Sequence, residues 1–161
     1  DFTDSANPVE IAYFDRGPLD AENLVFGGYW STYWYNGRIY GTETMRGLDV
    51  LALEPGEYLT ANEIAAAEVA DYGDIFNPQQ QFPVSWPATH VVAKAYLDQL
   101  ERDAAMPASV VTNIRAALDG NSAVELESLA AGLQDDSGDA ITRKRRTALA
   151  ETLNGIAASL R

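Results

Sequence analysis

Gly27-Gly-Tyr-Trp-Ser-Thr-Tyr-Trp-Tyr-Asn-Gly-Arg-Ile-Tyr-Gly-Thr-Glu-Thr-Met-Arg-Gly-Leu-Asp-Val-Leu-Ala-Leu53 decides the fold. Aromatic residues alternate on both sides of Asn36-Gly37, the dipeptide that tolerates positive φ at both centres of a type I′ turn. The spacing predicts one strand over Ser31–Tyr35, a return strand over Arg38–Glu43 and another over Leu48–Leu53. In the first strand Tyr33 and Tyr35 share a face and Trp34 points to the other.

Working outward, Asn7-Pro8 leads into an apolar alternation, and Val9–Phe14 is expected to be a fourth strand. Arg16-Gly-Pro-Leu-Asp-Ala-Glu-Asn23 is a loop, and Leu24–Phe26 has the composition of a short edge strand. Four short strands are about what one β-propeller blade contains, and too little sheet to stand alone. Residues 1–58 are therefore expected to form an antiparallel sheet that resembles a terminal propeller blade.

Beyond Pro55-Gly56 the period changes from two to 3.6. Thr60-Ala-Asn-Glu63 has capping-box spacing and opens a helix over about 60–71, with Ile64, Ala65 and Val69 on one face. Asn77–Val84, with two prolines, is an extended linker, so residues 59–84 are a helix plus linker. Residues 85–161 carry four further helical patterns. They run from Pro87 to about Ala104, from Pro107 to near Leu118, from Ser122-Ala-Val-Glu125 through Val124, Leu126, Leu129 and Leu133, and over 140–159. Ile141, Leu149, Leu153, Ile156 and Leu160 form one stripe on the last. Short connections favour antiparallel neighbours, giving a small up-and-down bundle. The fold class is α+β.

The formal charge of −13 is unevenly spread: residues 1–80 hold 14 acidic and 3 basic residues, residues 81–161 hold 10 and 8. An acidic first half argues against nucleic acid and against anionic lipid. No run is long enough for a membrane span. Arg143-Lys-Arg-Arg146 is the local exception, and on a helix it spreads around the circumference as a solvated face. The absence of cysteine removes disulfides and thiolate chemistry. A chain that opens on Asp1 is expected to continue a longer polypeptide.

Tyr29, Trp30, Tyr33, Trp34, Tyr35 and Tyr40 are the candidate site. Packing against a neighbouring sheet is the expected role, with a platform for a flat ligand and an exposed partner interface as alternatives. Glu43, Arg46 and Asp49 lie near one turn, and Asp15, Arg16 and Asp20 in one loop. Ion pairing and turn capping are expected of them before acid–base catalysis. His90 is the one histidine and is expected to be partly buried and structural. The one cofactor the pattern raises is calcium, at Asp135-Asp-Ser-Gly-Asp139. That loop would place Ala140 at the sixth position and Arg146 at the twelfth, where an EF-hand needs Gly and Glu, so Asp139 is expected to cap a helix instead.

Asn7-Pro-Val-Glu-Ile-Ala-Tyr-Phe14, with the turn-like Asp4-Ser-Ala-Asn-Pro8 before it, resembles a unit of the LVIVD repeat. Arg46-Gly-Leu-Asp-Val-Leu-Ala-Leu53 is similar to the strand core of that repeat, and the resemblance covers about residues 3–53. It implies a multi-blade β-propeller in a bacterial protein that is extracellular, cell-surface or periplasmic. The implied role is binding or scaffolding, the partner being the remainder of a propeller or another protein subunit. Only one or two units are present, and the helices after residue 60 lie outside the repeat. The alternatives are a propeller enzyme with its active site mostly in upstream blades, and a structural subunit of a surface assembly.

Overall fold

A computed structural model describes residues 1–71, 83–134 and 137–161. The order is β1 (Tyr29–Tyr35), β2 (Arg38–Glu43), β3 (Gly47–Leu51), α1 (Ala61–Glu68), α2 (His90–Arg102), α3 (Ala108–Gly120), α4 (Ala123–Gly132) and α5 (Ala140–Ser159). The α+β class expected from the change of period is what the chain adopts.

The sheet is a three-stranded antiparallel meander, β1-β2-β3. Asn36 and Gly37 both have positive φ, 49° and 74°, as a type I′ turn requires. Glycine at position 37 is required by its positive φ; a Cβ there would lie 3.1 Å from Glu68 Cγ, a surface side chain free to move aside. Register pairs Tyr33 with Tyr40 and Tyr40 with Val50. It is irregular between Tyr29 and Ser31, where a bulge re-aims Trp30.

Two expected strands are absent. Val9–Phe14 joins no strand ladder; Val9 instead exchanges bonds with Asp1, donating its N–H to the Asp1 carbonyl (3.0 Å) and accepting from the Asp1 ammonium (2.6 Å). Leu24–Phe26 is likewise irregular and exposed. Alternation makes a segment compatible with a ladder, but a strand exists only where another offers its amides and carbonyls. The third strand ends at Leu51 and not at Leu53.

The helices bury the core. Leu97, Leu100, Ile114, Leu118, Leu126, Leu149, Leu153 and Ile156 are fully enclosed in one cluster. The stripe on α5 behaves as its spacing demands at Leu149, Leu153 and Ile156, while Leu160 at the C-cap is exposed. Val124 also departs from its expected stripe and faces solvent. Asp139 caps α5 by accepting from Thr142 N–H at 2.7 Å, and Ser122 accepts from Glu125 N–H at the start of α4. Thr60 and Glu63 form the reciprocal capping box, with bonds of 3.2 and 2.8 Å. That helix is shorter than expected, and its buried residue is Ala66, with Ile64 and Ala65 half-buried and Val69 exposed. α1 packs on α2, and α2 on α5. Most of the expected linker Asn77–Val84, and Asp135-Asp136 of the acidic loop, lie outside the described residues.

Candidate functional site

The pairing register sorts the sheet into two unlike faces. Thr32, Trp34, Ile39, Gly41, Asp49 and Leu51 share one side. Loop residues 14–28 partly cover it: Arg16 clasps Asp49 through two bonds of 2.9 and 2.6 Å, and Tyr29 OH donates to the same carboxylate. The Tyr29 ring lies against Gly41, where a Cβ would come within 2.6 Å of its Cε1. The Trp34 ring is half-buried here, with its indole N–H enclosed and unpartnered.

The other side is open. Tyr33, Tyr40 and Val50 form one row across all three strands, with Thr42 and Leu48 paired beside them. Tyr33 is 45 % exposed, Tyr35 51 %, Val50 53 % and Leu48 62 %, values of surface side chains on what an isolated sheet would need as its core face. Tyr35 and Tyr40 rings stand 6.5 Å apart at 51°, a tilted pair that stiffens the patch without hiding it. Trp30, at 79 %, projects from the bulge. Of the six aromatic residues singled out from sequence, Tyr33, Tyr35 and Tyr40 therefore share a surface, while Tyr29 and Trp34 support the opposite face and Trp30 stands apart.

Charged residues near the turn and loop converge around a cavity of about 360 Å³. Glu43, almost fully buried, accepts from the N–H groups of Gly28 (2.7 Å), Met45 (2.9 Å) and Arg46. Those bonds, the Gly28 one foremost, hold its carboxyl below the usual range. The Tyr29 hydroxyl, then Arg16, does the same for Asp49, and Asp49 in turn raises the Tyr29 phenol. Asp15 accepts from Gly17 N–H (2.7 Å), and Asp20 from Glu22 and Asn23 N–H (2.8 and 3.0 Å). Arg46 donates to the Pro18 carbonyl at 2.9 Å. Each of these groups is spent on folding the loop. Glu43→Gln removes the charge and keeps the shape. Amide exchange at Met45 and Arg46 is expected to quicken by about fivefold, the loss of charge-assisted bonds.

His90 Nε2 pairs with Asn121 Oδ1 at 2.9 Å, tying the start of α2 to the end of α3, as a structural histidine does. Arg143, Arg145 and Arg146 turn to Gly138 O, Asp103, and Ser137 with Ala105 O respectively, which disperses the basic run as its helical spacing implied. Among the described residues no three His, Asp or Glu side chains converge as a metal site. Among the described residues no helix is long and apolar enough to cross a membrane.

The Asp49–Arg16–Tyr29 contacts span 33 and 20 residues, and no local pattern announced them. No protein-family model, curated protein or solved structure matches this chain.

Proposed function

We propose that the chain is a non-enzymatic binding and scaffold portion of an LVIVD-type β-propeller protein, secreted or surface-associated. The three-stranded sheet acts as a terminal blade, and a neighbouring sheet or protein subunit covers its Tyr33–Tyr40–Val50 face. The open face carries this reading: among the described residues the sheet unit buries no large apolar side chain, while the helices bury a full set. Val50 and Leu48 already have part of their surface covered, so completing their burial is worth on the order of 1 kcal/mol each, and covering the patch is favoured. The outer edges of β1 and β3, unpaired among the described residues, add a second means of attachment. The helices pack among themselves and leave this face open, which favours partner docking over self-coverage.

A photo-crosslinker at Val50, in protein from the native source, tests the reading. Cross-links to a β-rich segment outside residues 1–161 are expected, lost in Tyr33→Asp. Cross-links between identical chains would favour the surface-assembly alternative. A 17.5 kDa monomer with no cross-link would sink both.

A further inference from the structure

The helical unit holds a second cavity, about 630 Å³, along a channel floored by α2 and walled by α1 and α5. It exists because α1 and α5 each pack on α2 but, among the described residues, not on each other. Small residues keep it open: Ala66 and Ala67 on α1, Ala95 on α2 and Ala148 on α5. Val92, Tyr96 and Trp86 supply apolar lining. A volume of this size, mostly apolar with a few polar groups, is typical of a small-molecule site.

The rim carries the chemical clue. Ion pairs or hydrogen bonds engage the other basic side chains, as for Arg16, Arg38, Arg46 and Lys94. The same holds for Arg102, Arg115, Arg143, Arg145, Arg146 and Arg161. Lys144 alone among the described cations has no partner, in a chain of net charge −13, and it lies on the wall of this channel. Glu63, at the same channel, has both oxygens taken by Arg102, so it does not oppose an anion there as a free carboxylate would. Arg145 beside Lys144 offers further N–H donors beyond the one held by Asp103.

From this charge complementarity we propose that the channel binds a small amphiphilic monocarboxylate. Its apolar body lies along Val92, Ala95 and Tyr96, and its acid group meets Lys144. One unpaired ammonium matches one negative charge, and the acidic remainder of the chain repels a polyanion.

Octanoate and octanol titrated into the 161-residue chain, followed by calorimetry and methyl NMR, test it. Octanoate should saturate at about millimolar affinity and shift the Val92, Ala95, Ile141 and Ala148 methyls. Lys144→Glu should weaken octanoate about five- to tenfold and leave octanol unchanged, with the thermal transition intact. Ala67→Phe, which fills the channel, should weaken both. Equal response of octanoate and octanol to Lys144→Glu would overturn the proposal, as would shifts confined to the sheet. Phe2 also lines the channel. Binding that appears only after deletion of residues 1–3 would make the chain's own N-terminal segment the occupant, and overturn it. So would sedimentation with phosphatidylglycerol vesicles in place of saturable octanoate binding.

Discussion

Leu97→Ala is expected to lower the stability of the helical unit by about 2–5 kcal/mol, while Tyr33→Ala changes it by no more than about 0.5 kcal/mol. Leu97 is completely enclosed among α2, α3, α4 and α5 side chains, so truncation leaves a cavity as well as losing transfer energy. Tyr33 is nearly half exposed, and its ring has little to lose. For a unit of roughly this size each kcal/mol moves the midpoint by about 4–8 °C, so the Leu97 variant should melt at least about 8 °C lower by circular dichroism at 222 nm. The contrast separates a side chain that holds this chain together from one that contributes little to its own core. If Tyr33→Ala destabilised the isolated chain as much as Leu97→Ala, the sheet face would be a core of this chain, and the docking reading would fail.

The elements legible in the sequence were those whose causes are local. Asn36-Gly37 announces its turn because two positive φ angles exclude most residues. Thr60 and Glu63 announce a helix start because three-residue spacing lets each satisfy the other's amide. Leu149, Leu153 and Ile156 mark the buried stripe of α5 by period alone. What stayed hidden depends on something distant. Val9–Phe14 has strand alternation, yet beyond the bonds between Val9 and Asp1 it joins no strand ladder among the described residues, and alternation carries no information about whether a partner strand exists. The two faces of the sheet were legible as faces, but not which one is covered, because Arg16 must travel 33 residues to reach Asp49. The channel at Lys144 was hidden for the same reason: it is bounded by three helices drawn from separate parts of the chain.

The second large effect is expected at α1. This helix buries one apolar side chain, Ala66, too little to hold eight residues against α2. Polar contacts supply the rest. Arg102 grips Glu63 with bonds of 2.9 and 2.8 Å, and Asp98 accepts from Thr60 Oγ1 (2.7 Å), Asn62 Nδ2 (2.8 Å) and Arg115 (2.8 Å). The Glu63 and Asp98 side chains are only 8 % and 9 % exposed, so removing a partner strands a charge away from water. Arg102→Ala is therefore expected to cost about 3 kcal/mol, and Glu63→Ala on that background to recover part of it, the signature of a pair and not of two independent losses.

The same clamp sets an acid limit. Burial by itself would raise the Glu63 pKa, but the Arg102 bonds and the Thr60 amide outweigh it and hold the folded value below the ordinary one. Burial also opposes ionisation of Asp98, and Thr60, Asn62 and Arg115 outweigh it. A folded pKa below the unfolded one contributes stability that is complete above the unfolded value and lost as pH falls through the folded value. Amide protection along α1 should therefore persist through neutral and mildly acidic pH, then collapse below the ordinary carboxylate range, before protection of Leu97 and Leu153 is lost. Arg102→Ala should shift the α1 collapse upward in pH, because Glu63 then loses the group that kept it ionised. The hairpin turn meets this helix through Arg38 and Glu68 at 3.5 Å, so freeing α1 also loosens the contact between sheet and bundle. Protection of α1 that survived acid as well as that of the bundle core would mean that apolar contact, and not this clamp, holds it in place.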